Sequence, residues 1–152
     1  MGELVIREMD FSDLDGVMQV EQASFTSPWP REIITQELMH NQHAHYYVME
    51  LDGNIVGYSG VWLVLDDAQI TNIAVMPSFR GHKLGEKLFL YTIEQVMKLG
   101  AKRLSLEVRV SNVVAQRMYR KFGLVPGGVR KNYYTDNQED AIVMWVNLYE
   151  KR

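Results

Sequence analysis

Across residues 103–110 hydrophobic and polar positions alternate without a break. Leu104, Leu106, Val108 and Val110 fall on one side, and Ser105, Glu107 and Arg109 on the other. A period of two marks a strand with one buried face. Residues 3–9 repeat the pattern more weakly through Leu4, Ile6 and Met9, and residues 44–51, 54–65 and 68–75 also read as strands. Asp52-Gly53 is a hairpin turn between the first two of these, and Asp66-Asp67 a turn before the third. The period changes in residues 84–99, where apolar side chains at 84, 88, 89, 93, 96 and 97 form a helical stripe that Gly100 ends. Three more helices are expected. One is capped by Ser12 and runs to about Ala23; one has Pro30 in its first turn and ends near His40; one is capped by Ser111-Asn112 and ends at Gly123. Final strands at 124–130 and 140–149 flank a turn at 135–138. The order β-α-α-β-β-β-α-β-α-β-β predicts one mixed α/β domain over residues 1–152, with a right-handed βαβ unit around the segment after Val75.

Composition removes several classes of function. With 47% hydrophobic and 23% charged residues the chain has an ordinary globular balance, enough for one substantial core. Its net charge of −3 and lack of any basic block argue against direct nucleic-acid binding. The absence of cysteine excludes disulfides, thiolate metal sites and a cysteine nucleophile, and fits a cytoplasmic protein. The longest apolar stretch, 55–65, is interrupted by Gly57, Ser59 and Gly60 and is too short to span a bilayer. The opening MGELVI has no basic leader character, and Ile6 stands where a myristoylation signal needs Ser or Thr. No membrane association is expected. His40, His43 and His45 straddle a helix end and a strand start without a carboxylate constellation, so no metal is expected either.

The segment IAVMPSFRGHKLGEKL joins a strand ending Ile73-Ala74-Val75 to a helix through Arg80-Gly81-His82-Lys83-Leu84-Gly85-Glu86. It has neither the spacing of a Walker A loop nor a GxGxxG fingerprint. A strand, a short turn and a helix N-terminus can nonetheless hold phosphate through unpaired N–H groups and the positive helix end. A plain βα turn, with glycine allowing close packing, accounts for the same residues.

Residues 68–90 and 104–123, AQITNIAVMPSFRGHKLGEKLFL and LSLEVRVSNVVAQRMYRKFG, resemble the Gcn5-related N-acetyltransferase superfamily. Within it the chain is similar to the bacterial ribosomal-protein-alanine N-acetyltransferases. Leu106-Glu107-Val108-Arg109, Ser111-Asn112, Tyr119, Phe122-Gly123, Asn132-Tyr133-Tyr134, Glu139-Asp140-Ala141 and Phe25 with Pro28-Trp29 carry that likeness, which extends over essentially the whole chain. The resemblance implies a mostly antiparallel sheet flanked by helices and an acetyl-CoA loop over residues 73–75 and 80–86, with Asn112 a further coenzyme contact. It implies Glu107 as general base, Tyr119 as general acid and the Val75 N–H as oxyanion donor. Phe25, Trp29, Tyr133 and Tyr134, in loops beside turn-formers, are expected to receive a protein N-terminus, that of a ribosomal protein. Lys83 departs from the family pattern, which has glycine there. Lysine is awkward at positive φ, so side-chain clearance is the expected reason for that glycine. Without the resemblance, Glu107 reads as a strand glutamate pairing with Arg109 or facing water, Tyr119 as a core tyrosine and Asn112 as a helix cap. Two alternatives share the fold: a small-amine acetyltransferase, and a silent acyl-CoA-binding sensor.

Overall fold

In the computed structural model, which describes residues 2–148, the chain runs β1 (Leu4–Glu8), α1 (Leu14–Ser24), α2 (Arg31–His40), β2 (Ala44–Leu51), β3 (Asn54–Val64), β4 (Asp67–Val75), α3 (Leu84–Lys98), β5 (Arg103–Arg109), α4 (Val113–Lys121), β6 (Val125–Arg130) and β7 (Ala141–Asn147). One seven-stranded sheet has the order β1-β2-β3-β4-β5-β7-β6. Among the described residues five ladders are antiparallel, and only β4 and β5 pair in parallel, because α3 carries the chain back between them. The expected mixed, mostly antiparallel sheet flanked by helices is therefore the observed one. The last expected strand reached Tyr149, which lies outside the described residues.

Two local expectations need correction. The turn between β3 and β4 uses Leu65 and Asp66, one residue earlier than expected, because Val64 pairs with Asp67. This leaves Leu65 at φ 59°, 91% exposed. The first helical segment is capped by Asp10 rather than Ser12. Asp10 accepts from the Ser12 N–H at 2.9 Å, and the Asp13 carboxylate accepts from the Asp10 N–H at 2.9 Å, forming a capping box. Arg7 explains the preference. Its guanidinium donates to both Asp13 oxygens at 2.9 and 2.8 Å and to Glu50 at 2.6 Å, tying β1, the helix start and β2 together.

Apolar side chains fill both faces of the sheet. Val17, Val20 and Ile34 of α1 and α2 pack on Tyr46, Val48 and Tyr58, while Phe89, Ile93 and Val96 of α3 pack on Ile70, Leu104 and Leu106. Tyr119 of α4 joins the second layer, its ring 5.1 Å from that of Phe89. Regular pairing is broken in two places along β4. Gly60 pairs with Asn72 but Val61 with Ile70, so Thr71 is the extra residue of a β-bulge. Strict alternation would put Ala68, Ile70, Asn72 and Ala74 on one face. The bulge instead leaves Ala68 and Ile70 on the α3 side and turns Asn72 and Ala74 toward α1. In addition, β4 and β5 pair only over Asp67–Gln69 and Arg103–Ser105, and beyond these residues they part.

Arg7 holds the Asp13 carboxyl below its ordinary value by donating hydrogen bonds to it. A depressed folded-state pKa contributes stability that is present above the unfolded value of about 3.9 and lost as pH falls through the folded one. Asp13→Asn is expected to lower stability at pH 7 by about 1–2 kcal/mol, a charge-assisted bond discounted for the partial exposure of Arg7. Denaturant midpoints should show that deficit shrinking as pH falls below the unfolded value of about 3.9 toward the depressed folded-state one.

Candidate active site

The parting of β4 and β5 opens a cleft of about 830 Å³ on the α1 side of the sheet. Alternation along β5 sends Glu107 into it, opposite the buried Leu106 and Val108. The Glu107 carboxylate accepts from Gln69 Nε2 at 3.2 Å and pairs with Arg130 Nε at 3.0 Å. The partner is thus Arg130 of β6, not Arg109 two residues along the strand. Arg109 instead binds Asp136 at 2.8 Å and Glu139 at 3.2 Å, and its guanidinium lies 4.0 Å over the Tyr134 ring. The stacked cation fixes the loop that carries Tyr133 and Tyr134, whose rings meet edge to face at 5.0 Å.

The four aromatic residues expected at the acceptor side, Phe25, Trp29, Tyr133 and Tyr134, all line this one cleft. Their two loops meet over it, where Thr26 Oγ1 donates to Asp136 Oδ2 at 2.5 Å. Tyr119 reaches the same space from the α4 side, through the gap between the strands. Burial pushes its hydroxyl well above the ordinary tyrosine value, and pushes Tyr134 up to about 12, so both are proton-bearing near neutrality. Ile73 and Asn112 also line the cleft. Asn112 caps α4, its oxygen accepting from the Ala115 N–H at 3.2 Å, which leaves its amide nitrogen to offer a ligand.

Ala74, Val75 and residues 80–86 lie beyond the cleft lining, at and past the C-terminal end of β4. The Met76 N–H donates to the Val56 carbonyl at 2.7 Å, which makes Gly57 and Val75 a non-hydrogen-bonded pair. The Val75 N–H therefore turns away from β3 and toward the parted side. Arg80 Nε donates to the Val75 carbonyl at 3.2 Å, curling the turn back on the strand. Gly81 at φ 88° and Lys83 at φ 61° then set the first turn of α3. The clearance expectation for Lys83 is overturned. This position is left-handed, so a glycine here would serve φ, and lysine occupies it under strain. Lys83 is the N-cap and makes no side-chain cap bond, so the first amides of α3, at Leu84, Gly85 and Glu86, keep the unsatisfied donors of a helix start. A Cβ on Gly81 would meet nothing within 4 Å, so the turn is open to a ligand. Those amides and the helix dipole fit a pyrophosphate.

A profile of the acetyltransferase (GNAT) family matches residues 14–124. The chain belongs to the GNAT acetyltransferase family. The Escherichia coli strain K12 ribosomal protein bS18-alanine N-acetyltransferase is 34% identical over 143 residues, covering 91% of this chain and 94% of that protein. A Bacillus subtilis strain 168 protein, provisionally given the same name, is 55% identical over 145 residues, 95% of this chain and 96% of that one. The crystal structure of the E. coli ribosomal-protein-S18-alanine N-acetyltransferase superposes with a TM-score of 0.90 at 29% identity, covering 99% of this chain and 97% of that one.

Several residues of this GNAT cleft escaped the sequence reading. Trp62, Gln69, Asn72 and Glu21 all line it. Glu21 had a visible signal, an acid at helical spacing with Leu14, Val17 and Met18 on the buried face of α1. Gln69 and Asn72 had none, since the bulge that turns Asn72 cannot be read from alternation. Among the described residues no group of three or more His, Asp or Glu could hold a metal ion, and no helix is long and apolar enough to cross a membrane.

Lys83→Gly is expected to remove left-handed strain, offset in part by the greater unfolded-state freedom of glycine. The net gain is up to about 1 kcal/mol, a rise of about 2–4 °C in Tm by thermal melting. Coenzyme affinity measured by calorimetry should change less than about tenfold, because main-chain amides carry that contact.

Proposed function

We propose that this chain transfers the acetyl group of acetyl-CoA to the α-amine of a protein N-terminus, with the N-terminal alanine of ribosomal protein bS18 as acceptor. The observation that carries the reading is the pairing, across parted strands, of Glu107 on an aromatic-lined side with Tyr119 on the side of α4. The names of relatives at 34% and 55% identity support the acceptor.

Acetyl-CoA supplies an activated acyl group as a thioester. The open first turn of α3, with residues 80–86, is suited to its pyrophosphate, and the Val75 N–H to the thioester oxygen. An α-amine has a pKa of roughly 7.7–8.0, against about 10.4 for lysine, so a modest base suffices at neutral pH. Glu107 is that base. Gln69 and Arg130 fix its carboxylate, so its proton uptake occurs at a defined place. Tyr119, proton-bearing and buried, donates to the departing thiolate. Phe25, Trp29, Tyr133 and Tyr134 form apolar walls for an extended tail at low entropic cost.

Glu107→Gln is expected to lower kcat by roughly 10²–10⁴, with partial recovery as pH rises through the amine pKa and coenzyme affinity unchanged. Tyr119→Phe should slow turnover without that recovery. Near-normal turnover of Glu107→Gln at pH 7 would place the base elsewhere.

The acceptor is tested by mass spectrometry with acetyl-CoA and three substrates: an Ala-initiated peptide, the same peptide Nα-blocked but carrying a free lysine, and spermidine. Modification of the first alone is the expected result. Faster acetylation of spermidine or of the lysine would replace the N-terminal reading with the small-amine or lysine one.

A further inference from the structure

Asn72 is 7% exposed, and its Oδ1 atom is buried without a hydrogen-bond partner among the described residues. An unsatisfied buried acceptor is costly enough to need a reason. Its surroundings supply the orientation. The Trp29 N–H donates to Glu21 Oε2 at 2.8 Å, and the Tyr58 hydroxyl donates to Glu21 Oε1. Glu21 and Tyr58 are 2% and 0% exposed, so these hydrogen bonds lie at the buried base of the cleft wall. The Asn72 carboxamide contacts the same Tyr58 hydroxyl. That hydroxyl has one hydrogen, and it is committed to Glu21. Asn72 must therefore turn its NH₂ toward Tyr58, which leaves Oδ1 without that partner in a residue that lines the cleft with Glu107.

We propose that Asn72 is a substrate-binding residue whose Oδ1 accepts a hydrogen bond from the α-amine of the acceptor. This rests on the N-acetyltransferase reading and names a recognition element within it. An amine or ammonium carries only donors at its N–H groups, and Asn72 Oδ1 presents only an acceptor. The bulge at Thr71 brings the side chain to the acceptor face; without it Asn72 would lie in the core beside Ile70.

The test is a calorimetric titration in the presence of saturating CoA, which permits no turnover. An Ala-initiated peptide is compared with its des-amino analogue, propionyl in place of alanyl. Wild-type protein is expected to favour the amine, and Asn72→Leu to reduce that preference by roughly tenfold or more. Asn72→Asp retains an oxygen acceptor and should keep the preference. Asn72→Ser, smaller and shorter in reach, should lose it where leucine is not accommodated. Cooperative thermal melting reports that each variant is folded, and CoA affinity should stay within about twofold. Persistence of the preference in both Asn72→Leu and Asn72→Ser overturns the proposal. So does a loss of CoA affinity in folded variants with the preference intact, which assigns the oxygen to the coenzyme. A wild-type protein indifferent to the amine overturns it as well. Faster acetylation of spermidine together with an Asn72-dependent amine preference removes the protein-terminus reading and supports the Asn72 assignment.

Discussion

Two strands that begin as neighbours and then separate create the site. β4 and β5 share three paired positions, Asp67–Gln69 with Arg103–Ser105, and each runs on without the other. A continuous ladder would fill that space with main-chain hydrogen bonds and leave no passage between the α1 and α3 sides of the sheet. The separation exposes main-chain groups of β4 that a ladder would consume, the Val75 N–H among them. It also lets an acid from one side and a hydroxyl from the other line one cleft. Main-chain donors are held at low reorganisation cost because β3 still pins the other edge of β4.

The bulge at Thr71 complements the separation. A regular β4 would dedicate one face to the core beside α3 and the other to α1 throughout its length. One extra residue reverses that assignment midway, so the strand serves the core with Ala68 and Ile70 and the cleft with Asn72. The polar chain through Trp29, Glu21 and Tyr58 then reaches from the α1–α2 loop to the sheet under the cleft. A buried carboxylate in such a chain is tolerated because both its oxygens are hydrogen-bonded.

Much of the fold was legible in the sequence. Every helix and strand was anticipated, but not all by periodicity: β5 alternates cleanly, whereas β6 is exposed along its whole length and β2 and β3 are buried over consecutive residues. The aromatic residues beside prolines and turn-formers, singled out in two separate loops, line one cleft. What sequence could not reveal falls into three physical kinds. Register is one: the Thr71 bulge comes from how β3 pairs with β4, not from residue order. Long-range pairing is another, since nothing local announces that Glu107 meets Arg130 rather than Arg109, or that Arg7 recruits Asp13 and moves the cap to Asp10. The third is backbone strain. Lys83 at φ 61° contradicts the ordinary preference of a lysine, and the clearance argument failed because tertiary context overrode that preference.

The contact between Thr26 and Asp136 joins segments 110 positions apart in the chain. It turns a trough into something nearer a sleeve. A strand laid sideways would have to part that contact, whereas a loose chain end can be fed in lengthwise without disturbing it. The same two aromatic loops are thereby tied to one another as well as to the sheet beneath them.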